Sequence, residues 1–115
     1  MAVDRRPIDQ MVLDVGGHAF QRLARLFEEE TRGAVVALRS LLGAQDWREL
    51  GRQAHSLKHA TSSFGLTDLA GVAALIEKAA DAQKGAEAEV QLGLLEAAVD
   101  GDLADLDQVL KTIDA

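Results

Sequence analysis

Gln53-Ala54-His55-Ser56-Leu57-Lys58-His59-Ala60-Thr61-Ser62-Ser63-Phe64-Gly65 is the stretch that decides the fold. Wound as a helix at about 100° per residue, it separates into two faces. Leu50, Ala54, Leu57, Thr61 and Phe64 fall within an arc of roughly 80°, a stripe suited to packing against neighbouring helices. His55 lies about 100–180° from that stripe, so its ring is expected to point away from the core. Within roughly 60° of it stand Gly51, Arg52, Lys58, His59 and Ser62. An outward imidazole with a lysine one turn on, and small residues one turn back and two turns on, is the arrangement expected of a site for a transferable anionic group.

The flanking sequence carries the same helical period. Before the central helix, Phe20, Leu23, Phe27, Ala34, Leu38 and Leu41 recur at spacings of 3, 4, 7, 4 and 3, with Thr31 at the skipped position. This predicts a long bundle helix over about 18–42, stopped by Gly43. A shorter helix is expected ahead of it, opened by Pro7, carrying Ile8, Met11, Val12 and Val15, and ended by Gly16-Gly17. Residues 1–7 read as a loose tail. Asp46 is a fitting N-cap for the central helix, with Glu49 three residues on completing a capping-box pattern. Gly65 ends that helix in a tight, left-handed turn. The next helix opens at Leu66 or Thr67, and its core face is Leu69, Val72, Ala73, Ile76 and Ala80. The two helices around Gly65 are therefore expected to form an antiparallel hairpin. The last helix has a seam of Leu92, Leu95, Val99, Leu103, Leu106, Leu110 and Ile113, although Gly101 threatens its continuity. No strand-like alternation or repeat intervenes. The fold expected is all-α: one domain over 1–115, an antiparallel four-helix bundle with a short extra N-terminal helix.

Composition narrows the function. The 115 residues are 48% hydrophobic and only 3% aromatic, with a single proline, which favours helices with one ordinary core. A net charge of -7 disfavours nucleic acid as a partner, because phosphate binding needs clustered Lys and Arg. The absence of cysteine removes disulfides, thiolate metal sites and thiol chemistry. No apolar run reaches the roughly 20 residues of a membrane span, and the N-terminus lacks the apolar core of a signal peptide. A cytoplasmic protein with no membrane partner is expected.

His55-Ser56-Leu57-Lys58, Gly65 ten residues after the histidine, then Leu69 and Glu77, together resemble the histidine phosphotransfer (HPt) domains of bacterial phosphorelays. The resemblance covers most of the chain and departs at His59, where the family usually has glycine. It implies phosphorylation of His55 by a partner, with Lys58 and Ser62 supporting the phosphate and Gly51, Arg52 and His59 on the docking face. It also implies that Glu77 hydrogen-bonds the histidine, because residues three turns either side of the Gly65 turn come level in a hairpin. Glu77 paired instead with Lys58 or Lys78 is the plainer reading. His59 has three readings: it narrows the range of receivers, contacts the phosphate, or tilts aside. Histidines at i and i+4 also evoke a metal, but no carboxylate or cysteine joins them at matching places, and no metal site is expected.

The function expected is that of a phosphorelay intermediate. His55 accepts a phosphoryl group from a histidine kinase or a response-regulator receiver domain and passes it to or from a receiver aspartate. The chain carries no Gly-rich phosphate loop, so no kinase activity of its own is expected. It needs no cofactor, since the catalytic Mg²⁺ belongs to the receiver. A monomer suffices for one phosphorylation site. The alternative from another class is an adaptor bundle that docks a kinase or receiver without carrying phosphate.

Overall fold

A computed structural model describes residues 3–114. Five helices follow in order: α1 (Arg5–Val15), α2 (Gly17–Gly43), α3 (Trp47–Ser63), α4 (Thr67–Asp81) and α5 (Gly85–Leu110). Helices α2 to α5 close a ring in which α3 packs on α2 and α4, and α5 on α4 and α2, while α1 lies against α2 and α3. The long pair α2 and α5 runs antiparallel. Arg32 pairs with Asp100, and Arg39 with Glu96 at 2.6 Å and with Glu89 beyond it. These pairs are exposed, so each contributes at most about 1 kcal/mol, and the register rests on the core instead.

The core is built from one stripe per helix. In α3 it is Leu50, Ala54, Leu57 and Thr61, continued by Phe64, as the period requires. Thr61 satisfies its buried hydroxyl by donating to the Leu57 carbonyl at 2.7 Å. Phe64 stacks on Phe27 with ring centroids 4.2 Å apart and lies 5.7 Å from Phe20, tying the end of α3 to α2. In α4 the buried set is Leu69, Ala70, Ala73, Ile76, Ala79 and Ala80, whose small side chains let α3 approach closely. Helix α5 runs unbroken through Gly101, burying Leu92, Leu95, Val99, Leu103 and Leu106 as expected and then Val109. The α2 seam differs from the expectation. The buried residues are Phe20, Ala24, Phe27, Thr31, Val35 and Leu38, while Leu23 is 43% exposed. Spacings of 4, 3, 4, 4 and 3 keep one face inward along the whole helix, and the expected Leu23, Ala34 and Leu41 lie off its centre and are not buried.

Three turns join the bundle helices with one hydrogen-bond pattern. Gln45 N–H donates to the Leu42 carbonyl and Asp46 N–H to that of Leu41. Gly65 and Leu66 repeat this onto Ser62 and Thr61, and Gln83 and Lys84 onto Ala80 and Ala79. This is the Schellman closure, whose pivotal residue is left-handed. Gly65 has φ +73°, but the other two pivots are glutamines, each at φ +55°. Helix α2 ends at Gly43 as expected, but the left-handed pivot of its turn is Gln45. Asp46 caps α3 by accepting from Glu49 N–H at 3.3 Å, while the Glu49 carboxylate turns to Arg52 and Gln53 rather than completing the box.

Residues 3–7 are not a loose tail, and residues 1–2 lie outside the described residues. Asp4 caps α1 by accepting from Arg6 N–H at 3.0 Å, and Pro7 sits in the first helical turn, where its missing N–H costs no bond. Val3 forms an isolated antiparallel bridge with Leu66, and Asp4 N–H donates to the Gly65 carbonyl at 2.7 Å. A Cβ on Gly65 would lie 2.0 Å from the Asp4 carbonyl oxygen. Gly65 is therefore required twice, for the turn and for the close passage of the N-terminal segment. Helix α1, with Ile8 fully buried, covers the end of the bundle that holds this turn.

Candidate functional site

The α3–α4 hairpin brings His55 level with Glu77. His55 stands midway along α3, opposite the buried stripe, with half of its side chain exposed. Its Nδ1 lies 2.7 Å from Oε2 of Glu77. The other carboxylate oxygen, Oε1, accepts from Lys58 Nζ at 2.9 Å. The two expected partners of Glu77 are both present, because a carboxylate has an oxygen for each. The Lys58 ammonium holds the Glu77 carboxyl below the usual carboxylate range; partial burial opposes this and the His55 ring adds to it. Glu77 is thus an ionised acceptor. An acceptor-only group at Nδ1 requires the proton to sit there, which leaves the lone pair of a neutral His55 on Nε2. A half-exposed imidazole with an unprotonated ring nitrogen can act as a nucleophile.

The remaining expected residues fall into three groups. His59 is exposed one turn on, and its Nε2 lies 3.1 Å from Nε2 of His55, the rings edge to face with centroids 4.5 Å apart. Ser62 is exposed on the same side but takes no part in the hydrogen bonds that join His55, Lys58, His59 and Glu77. Arg52 is exposed and bound to Glu49 of its own helix at 3.0 Å, at the N-terminal end of the face. Gly51 does not belong to the docking face. It is buried in the α3–α4 contact, where an added Cβ would lie 3.1 Å from Asp81 Oδ1 and 3.6 Å from Ala80 Cβ. Its small size serves helix approach rather than partner access.

Sequence reasoning offered the Lys58–Glu77 pair only as the alternative to His55–Glu77, and it missed one contact of His59. The Lys58 ammonium is drawn sideways onto Glu77 rather than held toward the open face. The His59 ring reaches the very nitrogen that the tautomer leaves free. The i, i+4 spacing allowed that contact, but only the side-chain rotamers select it. Among the described residues no group of three or more His, Cys, Asp or Glu side chains is placed to hold a metal ion. No helix among them is long and apolar enough to cross a membrane.

The family model described as Hpt domain matches residues 22–113, and the chain belongs to that family. The match spans α2 to α5 and includes every residue of the cluster. Neither the curated proteins nor the solved structures give a match to this chain. Hpt domains serve histidine phosphotransfer in phosphorelays as phosphocarriers rather than catalysts, and they interact with receiver domains and kinases.

Proposed function

We propose that this chain is a phosphorelay intermediate phosphorylated on Nε2 of His55. The observation that carries the reading is the 2.7 Å contact between His55 Nδ1 and Glu77, on an open face of the bundle. The Nε2 lone pair attacks the phosphorus of a receiver aspartyl phosphate. An N–P bond forms, the P–O bond to the aspartate breaks, and the aspartate leaves as a carboxylate. The Nδ1 proton stays in place, and the positive charge that develops on the ring is balanced by Glu77. Transfer to a second receiver is the reverse sequence. The Mg²⁺ and most of the charge stabilisation at phosphorus belong to the receiver. Lys58 sets Glu77 in its ionised state, Ser62 keeps the face uncrowded, and Arg52 and His59 flank the approach of a receiver or histidine kinase. The chain has no kinase activity of its own, acts in the cytoplasm, and needs only one copy to complete the site.

The test is incubation with a phosphorylated receiver domain. Acid-labile label is expected on wild type and absent from His55→Gln, whose far-UV spectrum and melting curve stay close to wild type because the ring is exposed. Undiminished label on His55→Gln would overturn the assignment. A stable complex with the receiver but no label on wild type would favour the adaptor reading.

A further inference from the structure

His55 has two ring nitrogens, and the fold engages both. Nδ1 is held by Glu77 at 2.7 Å, and Nε2 by His59 at 3.1 Å. The first contact fixes the roles in the second. With the His55 proton on Nδ1, Nε2 is an acceptor, so the donor between the two rings is Nε2–H of His59. The lone pair that would attack phosphorus is therefore already capped by a hydrogen bond. A phosphorus bonded to Nε2 occupies the place into which that N–H now points. The His59 ring has to swing aside before transfer, and as an exposed side chain it is free to do so. Meanwhile Lys58, the cation one turn away, is committed to Glu77 at 2.9 Å. On the open side of His55, a donor for a phosphoryl oxygen stands at hand in the very N–H that the attack displaces.

Resting on the phosphorelay reading above, we propose that His59 is a second working histidine of this site. It caps the His55 Nε2 lone pair in the resting protein and donates the same N–H to a phosphoryl oxygen once His55 is modified. No proton changes owner; one hydrogen bond exchanges its acceptor, from a neutral nitrogen to an oxygen of a group carrying about -1.5 to -2 charge. Charge-assisted hydrogen bonds are roughly twice as strong as neutral ones. The exchange therefore favours the phosphorylated state, so His59 biases this carrier toward holding its phosphoryl group. Glycine at this position, as in the pattern that the sequence resembles, provides neither contact.

Two measurements on wild type, His59→Leu and His59→Gln test this. Leucine removes the donor while keeping bulk, and glutamine restores an N–H of similar reach. In ¹⁵N-labelled, unphosphorylated protein, the His55 Nε2 resonance should move in His59→Leu and return toward wild type in His59→Gln. With a phosphorylated receiver, the equilibrium should lie roughly two- to tenfold less toward phospho-His55 in His59→Leu, the value of one net hydrogen bond, and recover in His59→Gln. Equal equilibria in all three proteins, or equal losses in leucine and glutamine variants, would overturn the proposal. An unmoved Nε2 resonance in His59→Leu would overturn its resting half. Failure of wild type to accept label at all would sink the phosphorelay reading itself, and the phosphoryl half of this proposal with it, while the NMR comparison still decides the resting contact.

Discussion

Replacing Glu77 probes the site at the point where its contacts converge. In Glu77→Ala both His55 Nδ1 and Lys58 Nζ lose their partner, and nothing holds the His55 proton on Nδ1. A hydrogen bond to a charged group contributes about 1.5–3 kcal/mol. Water competes here, since the side chains of His55 and Glu77 are 50% and 23% exposed. About 1–1.5 kcal/mol is the fitting value, and at about 1.4 kcal/mol per factor of ten it becomes a roughly five- to tenfold slower transfer. Glu77→Gln separates tautomer from charge. Its amide oxygen can still accept from Nδ1–H, so transfer should stay within about threefold of wild type even though the ion pair with Lys58 is gone. That ion pair is partly exposed, and its loss should lower stability by no more than about 1 kcal/mol. Its pH dependence has a definite sign. Glu77 titrates lower in the folded than in the unfolded chain, so its contribution is present above the unfolded value and is lost as pH falls through the folded one. The assay is the initial rate of acid-labile labelling from a phosphorylated receiver, with a thermal melt beside each variant. A Glu77→Ala rate within twofold of wild type would refute the bracing role. So would an equal loss in the glutamine and alanine variants, since the acceptor would then be irrelevant.

Three further expectations concern the scaffold. Phe64→Ala should cost about 3–5 kcal/mol, because the ring is buried against Phe27 and Phe20, and a urea titration reads it directly. Gln45→Gly and Gln83→Gly should each raise stability by about 0.5–1 kcal/mol by relieving a left-handed non-glycine residue, whereas Gly65→Ala should destabilise; melting temperatures of the three variants give the order. Glu28 faces Asp107 across the α2–α5 cleft, and burial, then Asp107, push its carboxyl up to about 7 against the opposing charges of Arg32 and Arg25. With the folded value above the unfolded one, its contribution is full at low pH and is lost as pH rises toward and through about 7. Glu28→Gln should therefore melt a few degrees above wild type at pH 8, and match it near pH 4.

Much of this was legible because helices write their period into the chain. The α3 stripe of Leu50, Ala54, Leu57, Thr61 and Phe64 and most of the α5 seam needed only the 3.6-residue repeat. The α2 seam was misjudged where leucine outranked alanine: Leu23 is the more apolar residue, but Ala24 occupies the inward position. The pivots of two turns escaped notice because glycine is the usual mark of a left-handed residue, and Gln45 and Gln83 carry no such mark. The N-terminal segment looked loose because its partner, Gly65, is remote in sequence, and nothing local records that contact. In the site, hairpin geometry brought Glu77 level with His55, and the family resemblance implied the hydrogen bond between them. The assignment of Gly51 to the open face failed because a position on a helical wheel says nothing of how far a neighbouring helix wraps round it.

The contacts that define the site span little of the chain. His55 and Glu77 are 22 residues apart and Lys58 and Glu77 only 19, while His59 contacts its own helix-mate four residues away. Short separations close cheaply and early, so the proposed phosphoacceptor should take shape as the hairpin zips, before the α2–α5 register is fixed. Native-state hydrogen exchange would register this as protection in α3 and α4 that outlasts openings of α1. The cluster is in this sense portable: lengthening the α2–α3 or α4–α5 connection alters the bundle around it but none of the atoms proposed to receive the phosphoryl group.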